Sequence, residues 1–587
     1  MNQPGPAAAQ DDPLASLALH RPGKLALVLT AVGAVAVLIR AAFFAQLLHQ
    51  FPLYGTTLPG YDQHLYNTWA QAIAAGDWLS SSQGVFYGSP LYPYLLAVVY
   101  RLAGPGNVAA GIVLNGLFGV GAAILAAVLG ARLFGRWGGL AAGLLMALNG
   151  SQLSVEAMLL GDSLVPAFCL GALYLVVRYL EQDRGAHAVP FWVWLVPGLL
   201  LGLAVLAKGT VLLAAAALCV TVALRGLRAR RWRSATSGAI MCAGVCLVLA
   251  APILRNGLMY GRWTVALNGP VTLYIGNVPG ATGVSVYPPD FEQTIKRFQK
   301  TGAPASAWLD KLQEELRAHP GALRAVLLRK TLLVLNSWDA PDNGNYYFVR
   351  RYVLPLRAFT FGPLFLYVIG FLGIGLTVRR WRELAPLYAF AAFLGVGLIL
   401  VLVAGRYKLP FLALLAVFGG GAASVLAQHL RARHYGVVAV SALAAAALAC
   451  VFWPRGPIGV PRSWSELRPK EFLNNAMLLA AEGREDEARH ILEEGLAVFQ
   501  DDPWFAEPLA GLYLKAGQPE RAVAVTEAAL AHGVVTQHIL ERRLLAYRAL
   551  SLTDKARAAA GELAARYPES ALLNSAEPGN PSAPGRR

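Results

Sequence analysis

Pro59-Gly60-Tyr61-Asp62-Gln63-His64-Leu65-Tyr66 stands just beyond an apolar run, residues 24–47, long enough to cross a membrane. Asp62 is 15 residues past hydrocarbon that could not tolerate it. Behind it, His64 to Ala75 has the spacing of a short amphipathic helix, ended by Gly76 and Asp77. Phe86-Tyr87-Gly88-Ser89-Pro90-Leu91-Tyr92-Pro93-Tyr94 then leads into more apolar sequence. A lone loop aspartate is ordinarily a solvated acid or the N-cap of the helix it precedes. The rest of the chain gives this one another setting.

Apolar residues make up 56% of the 587 and charged residues 14%, with a mean hydropathy of +0.48. This is a membrane composition with a soluble part attached. Residues 462–587 hold 15 of the 50 basic and 18 of the 34 acidic side chains, so the net charge of +16 comes from the apolar part. Basic excess in loops between apolar runs is explained by topology and anionic head groups, and no nucleic-acid partner is expected. Cys169, Cys219, Cys242, Cys246 and Cys450 all fall in apolar runs and read as small buried hydrophobes. The first 20 residues read as a disordered tail without a secretory cleavage site, so the first apolar run is expected to remain as an anchor.

The candidate spans are 24–47, 107–133, 138–152, 163–180, 190–207, 209–224, 235–253, 358–377, 385–404, 409–428 and 436–453, about 11 in all. The run 90–104 is short and closed by Gly104-Pro105-Gly106, so it reads as a juxtamembrane helix. Alternate linkers are basic: Arg132 and Arg136; Arg178 and Arg184; the arginines of 225–233; Arg379, Arg380 and Arg382; Arg431 and Arg433. With Arg21 and Lys24 cytoplasmic, this phase puts the C-terminus outside.

The same phase collects other polar groups on the outer side. These are Asp62, Glu156, Asp162 in Gly161-Asp162-Ser163, Lys208 between two apolar runs, Arg255-Asn256, and Gly405-Arg406-Tyr407-Lys408-Leu409-Pro410. Each alone could be a snorkelling side chain. Acids and bases gathered on one face at short links point to function, because ionisable groups at membrane depth are costly. A long outer loop, 254–357, opens with Arg255-Asn256 and contains a β-like run, Leu267–Asn277. A charged amphipathic helix over 290–318 follows, then an apolar 320–336, broken at Trp338-Asp339-Ala340-Pro341-Asp342-Asn343.

After Pro461 a spacing of 34 appears: Gly483, Gly517 and Ser551; Ala488, Ala522 and Ala556; Tyr513 and Tyr547. Small residues where paired helices touch, with glycine at the turn, resemble tetratricopeptide repeats. These cover 463–570 and read as a docking module for a protein partner, with a disordered tail over 571–587.

The chain over 21–455 resembles the GT-C superfamily of membrane glycosyltransferases, in particular the family 39-like proteins that include protein O-mannosyltransferases and aminoarabinose transferases. The resemblance rests on Asp62 in the first outer loop (50–106) followed by Gly76-Asp77-Trp78, Pro90-Leu91-Tyr92-Pro93, Asp162-Ser163, Lys208-Gly209, Arg255-Asn256 with Tyr274-Ile275-Gly276-Asn277, and Arg406-Tyr407-Lys408-Leu409-Pro410. Many relatives carry an acidic pair in the first loop, whereas Asp62 stands between Tyr61 and Gln63. The resemblance implies an all-α polytopic membrane bundle and an inverting transfer of a sugar from a polyprenyl phosphate to a protein or glycan acceptor on the outer face. It makes Asp62 the base and Asp162 its catalytic partner. Lys208, Arg255, Arg406 and Lys408 are the expected phosphate ligands, with Tyr61, His64, Glu156 and Asn277 as further substrate contacts. Two carboxylates could hold a divalent ion, but the nearest relatives do without one, so no cofactor is expected. The expected setting is a bacterial inner membrane. The rival readings are a secondary transporter, whose ionisable groups would lie mid-membrane, and a non-catalytic scaffold built on the repeats.

Overall fold

Eleven apolar segments joined by short polar links leave the backbone little choice but helix, since in lipid every N–H and C=O must be satisfied internally. The computed structural model describes residues 22–183, 189–228, 232–301, 304–456, 466–499 and 502–574, and among these no β-strand occurs. The stretches read as disordered tails lie outside the described residues, except that a short helix, Ala571–Asn574, falls within the second. Arg184, Arg230, Arg231 and Pro461 are also outside. The chain divides into two units, one of residues up to His49 and Tyr54–Glu466, the other of Gln50–Leu53 and Leu467 onward.

In the first unit 7 stretches are long and apolar enough to cross a membrane. Two are each a pair of helices: Val108–Ala147 is broken at Gly135, and Pro363–Leu400 by a turn at Val378–Arg380. With the shorter Phe191–Ala207 and Tyr435–Val451 they match the 11 segments of the sequence. The span expected at 138–152 ends earlier, at Ala147, and a separate buried helix, Gly150–Glu156, follows. Leu91–Ala103 is short, as expected, and packs on the helix Asp62–Ala74. Leu38, Leu117, Val220, Leu247 and Leu443 are exposed on the outer faces of the bundle, where lipid is their natural solvent. Cys242, Cys246 and Cys450 share such faces, and only Cys169 and Cys219 are buried in protein.

Glycine sets the closest helix approaches. A Cβ on Gly420 would run into Gly138 and Ala142, and one on Gly373 into the backbone of Phe418. Without a hydrophobic drive between helices in lipid, this close backbone packing is what binds them. The basic linkers gather at one end of the bundle: Arg132 pairs with Glu181, Arg380 donates to Leu133 O, Arg225 donates to Glu383 O, and Arg431 lies over Trp137.

The long loop that follows the helix Trp232–Tyr260 is helical. Leu267–Asn277 is not a strand: Asn268–Asn277 is a helix. Val271, Tyr274, Ile275 and Val278 sit at helical spacing on one cluster, so tertiary packing overrides the β-propensity of their side chains. The single helix expected over 290–318 is two, Phe291–Thr301 and Ala307–Ala318, with Pro304 between them. Trp308 holds this layer together, its ring 5.1 Å from Tyr274, 5.3 Å from Phe291 and 5.0 Å from Phe298.

The second unit is a stack of three helix pairs, Pro469–Ala481 with Glu485–Val498, Ala506–Lys515 with Pro519–Ala531, and Gln537–Ala549 with Thr553–Arg566. The three residues at spacing 34 share a left-handed turn: φ is 80° at Gly483, 68° at Gly517 and 58° at Ser551. Ala488 and Ala522 are fully buried. Tyr513 donates to Glu493 and Tyr547 to Glu527, one contact repeated at the same spacing. A side chain in the left-handed region costs about 1–2 kcal/mol relative to glycine. Ser551→Gly should therefore stabilise the repeats by about 1 kcal/mol and Gly517→Ala destabilise them similarly. Amide hydrogen exchange within 467–574 measures both, and equal protection in the two variants would contradict the expectation.

Candidate active site

Arg406 sits in a tight turn, Gly405–Lys408, between two spans. The turn is fixed by Pro410 in the first turn of the next helix and by Gly405, whose missing Cβ leaves room for the Asp339 side chain. From there the guanidinium meets three carboxylates: Nε is 2.8 Å from Asp342, Nη1 3.3 Å from Asp162 and Nη2 2.9 Å from Asp62. Lys208, at the C-terminal cap of the helix Leu195–Ala207, places Nζ 2.9 Å from Asp162 and 3.2 Å from the centre of the Tyr407 ring. Three acids against two cations leave one negative charge. The contacts use three of the five N–H donors of Arg406. Burial draws the Lys208 amine down to about 8, with the Asp162 carboxylate pulling the other way.

Asp62 is not the N-cap. Tyr61 holds that position without a side-chain cap, and Asp62 is the first helical residue. Its place is set by Asn343, which accepts from the Asp62 backbone N–H at 3.0 Å and donates to Oδ2 at 2.8 Å. Arg406 donates to the same Oδ2. Oδ1 has no protein hydrogen bond among the described residues. The Asp62 side chain is 43% exposed, against 9% for Arg406 and 7% for Asp162. It opens on a cavity of about 660 Å³ whose polar end is Asp62, Asp342, Asn343 and Arg406 and whose far wall includes Ile275, Phe298 and Trp308. Tyr66, beside the acids, has its phenol pushed up by burial and by Asp62 and Asp162, so it is a neutral donor there.

The structure thus brings Asp62, Asp162, Lys208 and Arg406 together. It places the other residues singled out from sequence elsewhere. Lys408 donates to the backbone carbonyls of Leu333, Asn336 and Trp338, fastening the outer loop to the bundle. Arg255 donates to the carbonyls of Leu79, Ser80 and Gly84 and to Asn256, with its guanidinium over Phe86. Glu156 is enclosed with Arg40 at 2.7 Å and Gln152 at 2.9 Å. Asn277 accepts from buried Lys330 at 2.7 Å and donates to Leu400 O. Tyr61 precedes the helix of Asp62, and buried His64 Nδ1 has no hydrogen-bond partner among the described residues.

Asp342, Asn343 and Tyr407 complete the site, though sequence reasoning did not select them. The signal was present: Asp339-Ala340-Pro341-Asp342-Asn343 puts two acids and an amide around a proline, and Tyr407 follows Arg406. Only the fold shows that this break returns to Asp62. Among the described residues no three His, Cys, Asp or Glu side chains are placed to hold a metal ion.

Two family models match parts of the chain. The model described as Dolichyl-phosphate-mannose-protein mannosyltransferase matches residues 88–255, and a Tetratricopeptide repeat model matches 479–536. The chain therefore carries a segment similar to that mannosyltransferase family, followed by a segment similar to tetratricopeptide repeats. The first match takes in Asp162 and Lys208, while Asp62, Asp342 and Arg406 fall outside it. No curated protein matches the chain. Among solved structures, the oligosaccharyltransferase of Archaeoglobus fulgidus, in its complex with zinc and sulfate, is similar at 17% identity and a TM-score of 0.37 over 78% of this chain. The chain spans 56% of the length of that enzyme. ArnT from Cupriavidus metallidurans, bound to undecaprenyl phosphate, is similar at 15% identity and a TM-score of 0.40, over 92% of this chain and 79% of its own.

Removing one member of a buried charge cluster strands the others, at a cost of about 3–5 kcal/mol. Arg406→Gln should lower the melting temperature in detergent markedly, and Arg406→Lys should restore little of it, since a single amine cannot fork to three acids. Adding Asp342→Asn to Arg406→Gln should recover part of the loss. A melting temperature unchanged in Arg406→Gln would contradict this account of the cluster.

Proposed function

We propose that the chain is a membrane glycosyltransferase that moves a sugar from a polyprenyl-phosphate donor to a hydroxyl of a protein or glycan acceptor, inverting the anomeric carbon. The observation that carries this reading is the fixed arrangement of Asp62. Its Oδ2 is held by Asn343 and Arg406, which leaves Oδ1 free at a cavity large enough for a sugar and an acceptor. In the proposed step the acceptor oxygen bonds to the anomeric carbon as its proton passes to Asp62 Oδ1. The bond from that carbon to the phosphate oxygen breaks, and the electron pair leaves with the polyprenyl phosphate. Lys208 neutralises that phosphate with the amine hydrogens not used by Asp162. Arg406 holds the three acids in register and has two N–H groups to add. Asp162 faces the positive charge that develops on the sugar ring.

The family model over 88–255 and the clustering of ionisable groups at helix ends both favour this reading over a transporter, which needs such groups mid-membrane. The sidedness we propose, with the N-terminus in the cytoplasm of a bacterium and the repeats beyond its inner membrane, rests on the basic linkers. The repeats would present a protein acceptor or partner. No metal is proposed, because the Arg406 guanidinium already stands between the three acids that would otherwise hold one.

Three outcomes test the proposal. Asp62→Asn should keep donor binding and lose about 10²–10⁴ in turnover, as read by transfer from a radiolabelled polyprenyl-phosphate sugar in vesicles. Turnover near that of the unaltered chain would remove Asp62 as the base. As pH rises through about 8 the Lys208 amine loses its charge, so the apparent KM for the donor should climb, and Lys208→Arg should flatten that climb. Transfer should also persist in a chelator, and its loss there would replace the guanidinium by a metal.

A further inference from the structure

A second set of cations lies away from the candidate active site, where the linker 133–137 meets the linker 429–434. Gly135, at φ 76° and ψ 176°, breaks the helix and sets Arg136 and Trp137 at the start of the next one. Trp137 is 45% exposed. Its ring has the Arg136 guanidinium 5.1 Å away and that of Arg431 5.7 Å away. Two residues on, Arg433 adopts a left-handed turn at φ 57°. His429 and His434 close the turn, their Nδ1 atoms 3.4 Å apart and the His434 N–H donating to His429 O at 2.8 Å.

This group differs from the paired arginines at the same end in its lack of acids. At the same end Arg132 is paired with Glu181 at 2.6 Å and Arg380 with Glu383 at 2.7 Å. Arg136, Arg431 and Arg433 are in no ion pair among the described residues and are exposed. Free guanidiniums around an exposed indole, with imidazoles beside them, suit the oxygens of a phosphodiester. The setting says where such a group comes from. The cluster caps apolar spans, and exposed Leu430, Tyr435 and Val437 continue below it as a surface for acyl chains.

We propose that this cluster is a binding site for the phosphate headgroup of an anionic membrane lipid, held by Arg136 and Arg431 at Trp137 with Arg433 in the adjoining turn. The site is independent of the transferase reading, because none of its residues touches the candidate active site.

The test uses the full chain, stripped of lipid in detergent and titrated with phosphatidylglycerol or phosphatidylcholine, with bound lipid counted by native mass spectrometry. The chain should retain phosphatidylglycerol in preference to phosphatidylcholine. Each guanidinium near a headgroup contributes about fivefold in affinity, so Arg136→Gln, Arg431→Gln and Arg433→Gln together should erase the preference. The corresponding lysine variants should keep most of it, and Arg132→Gln should leave it unchanged. Equal retention of the two lipids by the unaltered chain overturns the proposal, as does a preference that survives the triple glutamine variant. If inorganic phosphate displaces the lipid at equal concentration, the site takes a free anion and the lipid assignment falls.

Discussion

One guanidinium shared by three carboxylates is the constraint on which the first unit depends. Asp62, Asp162 and Asp342 come from three separate segments, and like charges so close repel unless a cation lies between them. Arg406 is that cation. Its planar fork reaches all three, which a lysine could not do. Once it is in place, the first outer loop, the start of the span at 161 and the Pro341 break of the long loop are held at fixed distances. The geometry of the cavity follows.

The surroundings make this arrangement tolerable. Lys408, two residues from Arg406 in the same turn, ties the carbonyls of 333–338 to the bundle, and Lys330 does the same through Asn277 and the carbonyls of Leu400 and Val401. These buried amines satisfy backbone that would otherwise be stranded where the loop leaves its helices. Below them the spans pack through glycine. The charged cluster thus sits on a floor of close backbone contacts and under a roof pinned by Trp308. Its most exposed member, Asp62, carries the free oxygen.

Four of the ten residues singled out in the sequence meet in the site, and the reason the others do not is instructive. Lys408 and Arg255 have the same charge as Lys208 and Arg406 and, like them, were expected on the outer side from the alternation of basic linkers. Sequence position reports which side of the membrane a residue is on, not whether its donors are taken by nearby carbonyls. Asp342 and Asn343 were passed over because they belong to a helix break, and breaks are common. Their role arises from the return of that break to residue 62, a separation of 281 positions that no local pattern encodes.

The sequence by itself determined the apolar segments, the alternation of basic linkers and the repeat period of 34. Each is a matter of local composition or spacing, and membranes and stacked repeats enforce such regularities directly. The tertiary structure alone decided the rest. It made Leu267–Asn277 a helix, because Trp308 offers Tyr274 and its neighbours a surface at helical spacing. It took Asp62 from a possible cap to a carboxylate with one oxygen held and one free. It also sorted the cations into those that fasten backbone, such as Lys408 and Arg255, and those that pair with the acids, Lys208 and Arg406. Burial, partners and distance are properties of the folded chain, and they decide what a charged side chain can do.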